Sequence, residues 1–144
     1  MNLYILDTDT CSYIIKRRPE AVISSMRVAV EQGHHVTISA ITYSELLLGA
    51  ERADNKNKGK HHNLISEFVA RLDEVLAWDR KAAEAFAKLQ AWLYEAGSPI
   101  GPNDTMIAAH VLSRNGIIIT NNIRHFSKVP HLRVNNWVDG NHFS

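Results

Sequence analysis

Ile117-Ile118-Ile119, running on to Thr120, is β-branched throughout and apolar on both faces. A strand with water on one side alternates apolar and polar residues, so this run fits a parallel sheet covered on each side. Leu3 to Leu6, Val36 to Ile38, Val75 to Trp78 and, more weakly, Leu132 to Val134 share its strand character. The segments between them have helical spacing. Ala82, Phe86, Leu89 and Leu93 recur at helical intervals and stop at Gly97-Ser98-Pro99, a standard helix terminator. Leu64, Ile65, Phe68, Val69 and Leu72 repeat the pattern, as do Met106, Ile107, His110 and Val111 before Gly116. Strands alternating with helices imply right-handed βαβ units around a central parallel sheet, an α/β fold. Asp54 to His62, polar and basic, reads as a loop.

The 144 residues suit one domain and can bury roughly 70% of the surface the unfolded chain exposes. Hydrophobic residues make up 45% and charged residues 22%, which argues against a disordered chain, a collagen or a coiled coil. Sixteen Lys and Arg against 15 Asp and Glu leave a net charge of +1, so any nucleic-acid partner must be met by a local site. Cys11 is the single cysteine, which rules out an intramolecular disulfide and a cysteine zinc cluster. The N-terminus lacks a basic segment followed by a long apolar run, and no stretch approaches the ~20 apolar residues of a membrane span. A soluble cytoplasmic protein with no membrane partner is expected.

In an open α/β sheet, ligands bind beyond the carboxyl ends of the strands. Asp7-Thr8-Asp9-Thr10 follows the first strand. Ser39 follows the second and can cap a helix carrying Glu45 in its second turn. Thr120-Asn121-Asn122 and Arg124-His125 follow the fourth, and Asp104 opens the helix after Pro102. Taken singly, Asp7 and Asp9 read as turn and cap residues, and Asn103-Asp104 as a capping pair. Glu45 is harder to dismiss, because Leu46, Leu47, Leu48 and Ala50 make its helix largely buried. Jointly, these carboxylates at one sheet edge would repel unless a cation sits between them. Oxygen ligands favour Mg²⁺ or Mn²⁺ over Zn²⁺, and such ions act on phosphates.

The same residues resemble the PIN-domain ribonucleases, specifically the VapC toxins of bacterial VapBC toxin–antitoxin pairs. The likeness rests on Ile5 to Thr10, on Ile38 to Leu46 with Gly49-Ala50-Glu51, on Ile100 to His110, and on Ile119 to Asn122 with Phe126. It implies a three-layer α/β/α PIN-like domain over residues 1–138, with 139–144 as a flexible tail. Asp7, Glu45 and Asp104 would be the acidic triad, with Asp7 and Asp104 as metal ligands and Glu45 binding through water or orienting the nucleophile. Asn122 stands where the family often has Asp, and can reach a metal or its water without adding charge. Asp9, commonly Asn in the family, joins Ser39 and Thr120 as residues supporting the ligands.

The implied reaction is Mg²⁺-dependent hydrolysis of an RNA phosphodiester, with Mn²⁺ as a substitute, giving a 5′-phosphate and a 3′-hydroxyl. The Thr120-Asn121-Asn122 motif resembles enterobacterial VapC proteins, which points to initiator tRNA, cut in its anticodon stem-loop. Arg124, His125 and Lys128 are candidates for phosphate contacts, as are Lys16-Arg17-Arg18, which read equally well as a solvated helix end. The His34-His35 and His61-His62 doublets read as surface loops. A VapB-type antitoxin and a homodimer, using some of Phe86, Leu89, Trp92 and Leu93, are the expected partners. A haloacid-dehalogenase-like phosphatase, with Asp7 as nucleophile and Asp9 as acid/base, is the rival enzyme, but its late Gly-Asp-x-x-x-Asp motif is absent and Glu45 would have no role. A non-catalytic RNA-binding module has only Asn122 in its favour.

Overall fold

β1 (Leu3–Leu6) lies in the middle of a parallel sheet, because every one of its residues from Tyr4 on is buried and needs cover on both faces. The computed structural model describes residues 1–139. After β1 come α1 (Thr8–Lys16), α2 (Glu20–Glu31), β2 (His35–Ser39), α3 (Ala40–Glu51), α4 (Asn55–Ala70) and β3 (Glu74–Leu76). Then follow α5 (Arg80–Glu95), α6 (Pro102–Ser113), β4 (Ile117–Ile119), α7 (Ile123–Phe126) and β5 (Arg133–Asn135). The strand order is β3-β2-β1-β4-β5, with all neighbours parallel. The chain builds outward from β1 to one edge, then crosses back through α5 and α6 to lay β4 on the other side. β1 and β4 thus flank the switch point where α/β sheets open a crevice.

Alternation along the strands divides the core in two. Tyr4, Leu6 and Ile119 face one way, onto Ile14, Val22, Met26, Leu46 and Phe68 of α1 to α4. Ile5 and Ile118 face the other way, onto Leu89, Leu93, Ile107 and Phe126 of α5 to α7. These are the three α/β/α layers that the sequence implies. Gly116 lets β4 approach β1, since a Cβ there would lie 3.1 Å from both the Leu3 carbonyl oxygen and Ile5 Cδ1.

Several expectations need correction. Asp54 to His62 is not a loop, and His61 and His62 are helical: Asp54 caps α4 by accepting from Asn57 N–H at 3.0 Å. Ile65 and Phe68 anchor the C-terminal turns in the core, while Lys58 and His62 both reach Glu51 on α3. The helix is therefore held from both ends despite its polar start. β3 ends at Leu76, because Trp78 turns to pack edge-on against Phe86 and His110. Leu48 is 58% exposed, so α3 is buried on one side only. Leu89 and Leu93 are buried within the chain, leaving Trp92 as the outward residue of the α5 stripe. Of the expected tail, all but Asp139 lies outside the described residues. No helix among the described residues is long and apolar enough to cross a membrane.

Phe68 is fully buried between α4 and the sheet. Phe68→Ala should cost about 3–5 kcal/mol through lost burial and the cavity left behind. Urea unfolding that shows a change below about 1 kcal/mol would mean that α4 does not pack as described.

Candidate active site

Asp7 leaves β1 and caps α1, so strand end and helix start meet at one carboxylate. Its Oδ1 accepts from Thr8 N–H at 2.8 Å, and its Oδ2 accepts from Thr120 Oγ1–H at 2.8 Å. Its backbone N–H reaches across to the Ile119 carbonyl at 2.8 Å, extending the β1–β4 ladder by one residue. Thr10 donates to the same carbonyl at 3.1 Å. Asp7 is 6% exposed, and burial, with Asp9 and Asp104 nearby, pushes its pKa up to about 7. Burial also raises Asp9, although Asn121 N–H donates to its Oδ2 at 3.1 Å.

Glu45 sits on α3, which Ser39 caps by accepting from Ile41 N–H at 3.0 Å. Thr8 Oγ1–H donates to Glu45 Oε1 at 2.8 Å, and Asn103 approaches Oε2 at 3.5 Å. Asp104 is carried by α6, but not as a cap. Gly101 is the N-cap, with φ of 94°, and Pro102 opens the helix, so Asp104 falls in the first turn. Only glycine adopts that φ without strain. His125 Nδ1 lies 2.8 Å from Asp104 Oδ2 and 3.1 Å from the Asn122 amide. One ring nitrogen cannot donate to the carboxylate and accept from the Asn122 Nδ2 at once, so Asp104 and Asn122 compete for Nδ1.

The structure therefore brings Asp7, Asp9 and Thr120 into one hydrogen-bonded group, with Asp104 close enough to raise Asp7. Glu45 joins through Thr8, and Asn122 joins through His125 and through its N–H to Thr120 Oγ1 at 3.0 Å. Ser39 does not join them by a hydrogen bond. Its hydroxyl pairs with the buried His110 Nδ1 at 2.7 Å, tying β2 to α6 and so fixing the helices that carry Glu45 and Asp104. His125 faces an acid, while Arg124 and Lys128 are exposed. Thr8 and Asn103 are contacts of Glu45 that only their adjacency to Asp7 and Asp104 could have flagged.

Among the described residues, no group of three His, Cys, Asp or Glu forms a ready-made metal cage. The donor set still fits a hard divalent ion. Every donor is oxygen, the buried carboxylate lacks a neutralising charge, and such ions commonly use one or two carboxylates and keep waters for the rest.

The sequence profile of the PIN domain matches residues 4–132. The chain belongs to the PIN domain family. Nucleases of this family are generally divalent-metal dependent. The chain is 38% identical over 136 residues to the tRNA(fMet)-specific endonuclease VapC of Salmonella typhimurium, covering 93% of this chain and 97% of that protein. It is 40% identical over 134 residues to the protein of the same name from Shigella flexneri, with the same coverage. The solved structure of DNA-bound VapBC from Salmonella typhimurium superposes with a TM-score of 0.86 at 35% identity, covering 95% of this chain and 99% of that one. Membership of the PIN domain family leaves the phosphatase reading without support.

The raised Asp7 pKa gives the metal-free PIN domain a contribution to stability that is lost with rising pH, opposed by buried His110, whose pKa is lowered by burial. Asp7 binds its proton more tightly folded than unfolded, so its favourable contribution is complete below the ordinary carboxylate range and is lost as pH rises through about 7. Thermal melts in chelator should show that decline as a wild-type stability that falls relative to Asp7→Asn as pH rises toward about 7. A difference between the two proteins that does not change over that interval would contradict the crowding of acids.

Proposed function

We propose that this PIN domain is the toxin of a VapBC toxin–antitoxin pair, a cytoplasmic Mg²⁺-dependent endoribonuclease that cuts initiator tRNA in its anticodon stem-loop. The observation that carries the reading is the Asp7 carboxylate at the switch point of the sheet, its pKa raised first by its burial and further by Asp9 and Asp104. The substrate comes from the tRNA(fMet)-specific endonucleases at 38% and 40% identity, and the VapB-type partner from the VapBC complex that superposes on the chain.

Asp7 and Asp104 are the residues that would hold the ion. When bound, a divalent ion there supplies positive charge to the phosphate and lowers the pKa of an attacking water. Glu45, held by Thr8, would orient an attacking water and accept its proton. Thr120 fixes the Asp7 rotamer, and Asp9, held by Asn121 N–H, keeps a further carboxylate beside it. Asn122 adds a polar but uncharged group at the fourth position. His125, which contacts Asp104 Oδ2, would steady that carboxylate while its other oxygen faced an ion, and Arg124 and Lys128 are exposed groups that could meet RNA phosphates. Homodimerisation, part of the same proposal, rests on Trp92, which is 46% exposed on α5.

Asp7→Asn and Asp104→Asn should each lower cleavage of initiator tRNA by more than about 100-fold, the upper range for loss of a group that merely supports a metal ligand. The folded state should persist, because each change keeps the side chain's shape. Wild-type rates in both variants, measured in Mg²⁺, would remove these residues from the site. Asn122→Asp should tighten Mg²⁺ binding several-fold by adding charge to a cation site. Calorimetric titration showing no change would place residue 122 outside the coordination sphere.

A further inference from the structure

We propose that the groove between α1, α3 and α4 is a nucleotide subsite, in which an unpaired RNA nucleotide next to the scissile phosphate is held. The inference rests on the ribonuclease reading and extends it to how the substrate is gripped. The groove encloses about 290 Å³, close to the lower end of the roughly 300–1,000 Å³ typical of small-ligand sites. One end is formed by Thr8 and Glu45, which already belong to the candidate active site. An occupant of the groove is therefore continuous with whatever sits over the acids. Its walls are aliphatic, from Ile15, Leu46 and Leu64, a surface suited to the face of a base. At the rim stand Lys16 and His61, and Lys60 precedes the latter. This cationic rim complements a phosphate backbone. RNA read for its sequence is gripped at unpaired bases of this kind.

Gly49 supplies an independent observation. It is exposed in the interior of α3 and lines the groove, and a Cβ built on it would meet nothing within 4 Å. Glycine inside a helix costs about 1 kcal/mol relative to alanine. No turn and no close backbone approach requires it here. What the missing side chain provides is open space in the groove.

The test is steady-state cleavage of initiator tRNA by the full chain in Mg²⁺. Gly49→Leu fills the groove one helical turn from Glu45 while leaving every acid in place, and should raise KM at least about fivefold, the smallest effect expected for losing one seated base. Its kcat should stay within about twofold of wild type. Lys16→Gln, an exposed change that needs no repacking, should also raise KM. It should reduce the slope of log KM against log salt by about 0.7, the value for one phosphate contact on a single strand. If Gly49→Leu melts early, the Lys16→Gln slope decides alone. Wild-type KM in both variants overturns the subsite, as does a Gly49→Leu defect confined to kcat. Altered inhibition by the antitoxin with RNA kinetics unchanged assigns the groove to a protein partner instead, and also overturns it. Wild-type protein that cleaves neither initiator tRNA nor total cellular RNA is a different failure, which removes the ribonuclease reading and the subsite with it.

Discussion

A carboxylate that is almost wholly buried constrains everything around it. Asp7 can be charged at the carboxyl end of β1 only if donors reach both its oxygens, and they come from two sources. Thr8 N–H is the first free amide of α1, so the helix start that follows the strand answers one oxygen. Thr120 answers the other, which requires β4 to lie directly beside β1. The strand order with its reversal between β1 and β4 thus does double duty. It buries the apolar runs on both faces, and it delivers a hydroxyl from 113 residues away to Asp7.

Those two hydrogen bonds do not neutralise the charge. Burial dominates, and Asp9 and Asp104 add to it, so the group is left with a pKa of about 7. A fold selected only for stability would place an apolar or neutral residue here, because unpaired buried charge is among the costlier features a protein can carry. The rest of the arrangement limits the damage without removing it. Asn121 N–H steadies Asp9, Thr8 steadies Glu45, and His125 lies against Asp104. Each partner is weak enough to yield, and none is an Arg or Lys that would close the site with a permanent ion pair. Among the described residues, the carboxylates that do meet a Lys belong to Glu51, on the surface of α3.

Much of this was legible in the sequence, for identifiable reasons. β1 has the expected bounds because its apolar run ends sharply at Asp7, and Ser39 announces α3 because a serine before a helical stripe is a cap. The convergence of Asp7 and Thr120 follows from the rule that residues after parallel strands share one edge, and Asp104 joins them from the start of α6, the helix that leads back into β4. The α4 start was hidden because Asn, Lys and Gly outweigh a lone capping Asp54 in composition. What holds those turns is Glu51, which lies on a different helix. The same limit applies to the Thr8–Glu45 and Asp104–His125 pairs. They join residues 37 and 21 positions apart, and spacing has no means of showing which long side chains will meet. Asp104 was ambiguous until Gly101 proved to be the cap, since an acid in the first turn and an acid at the cap look alike in a sequence.

The net charge of +1 now has a physical meaning different from indifference to nucleic acid. Acids gather at the carboxyl edge of the sheet, while Lys16, Arg17 and Arg18 close α1 and Lys56, Lys58 and Lys60 occupy the first turns of α4. Screening at physiological salt reduces interactions beyond about 8 Å, so an approaching polyanion feels these regions separately rather than as a sum. An acidic pocket alone would repel RNA, and a uniformly basic surface would hold it without directing it. With positive charge at the far end of α1 and acids at its start, the proposed ribonuclease reading would place contact with phosphates and chemistry on one of them at opposite ends of a single nine-residue helix. The rise of 1.5 Å per residue sets the distance between them at roughly 13 Å. On that reading the span would let one strand of RNA touch both ends, while keeping the basic groups too far away to neutralise the acids proposed to hold a metal.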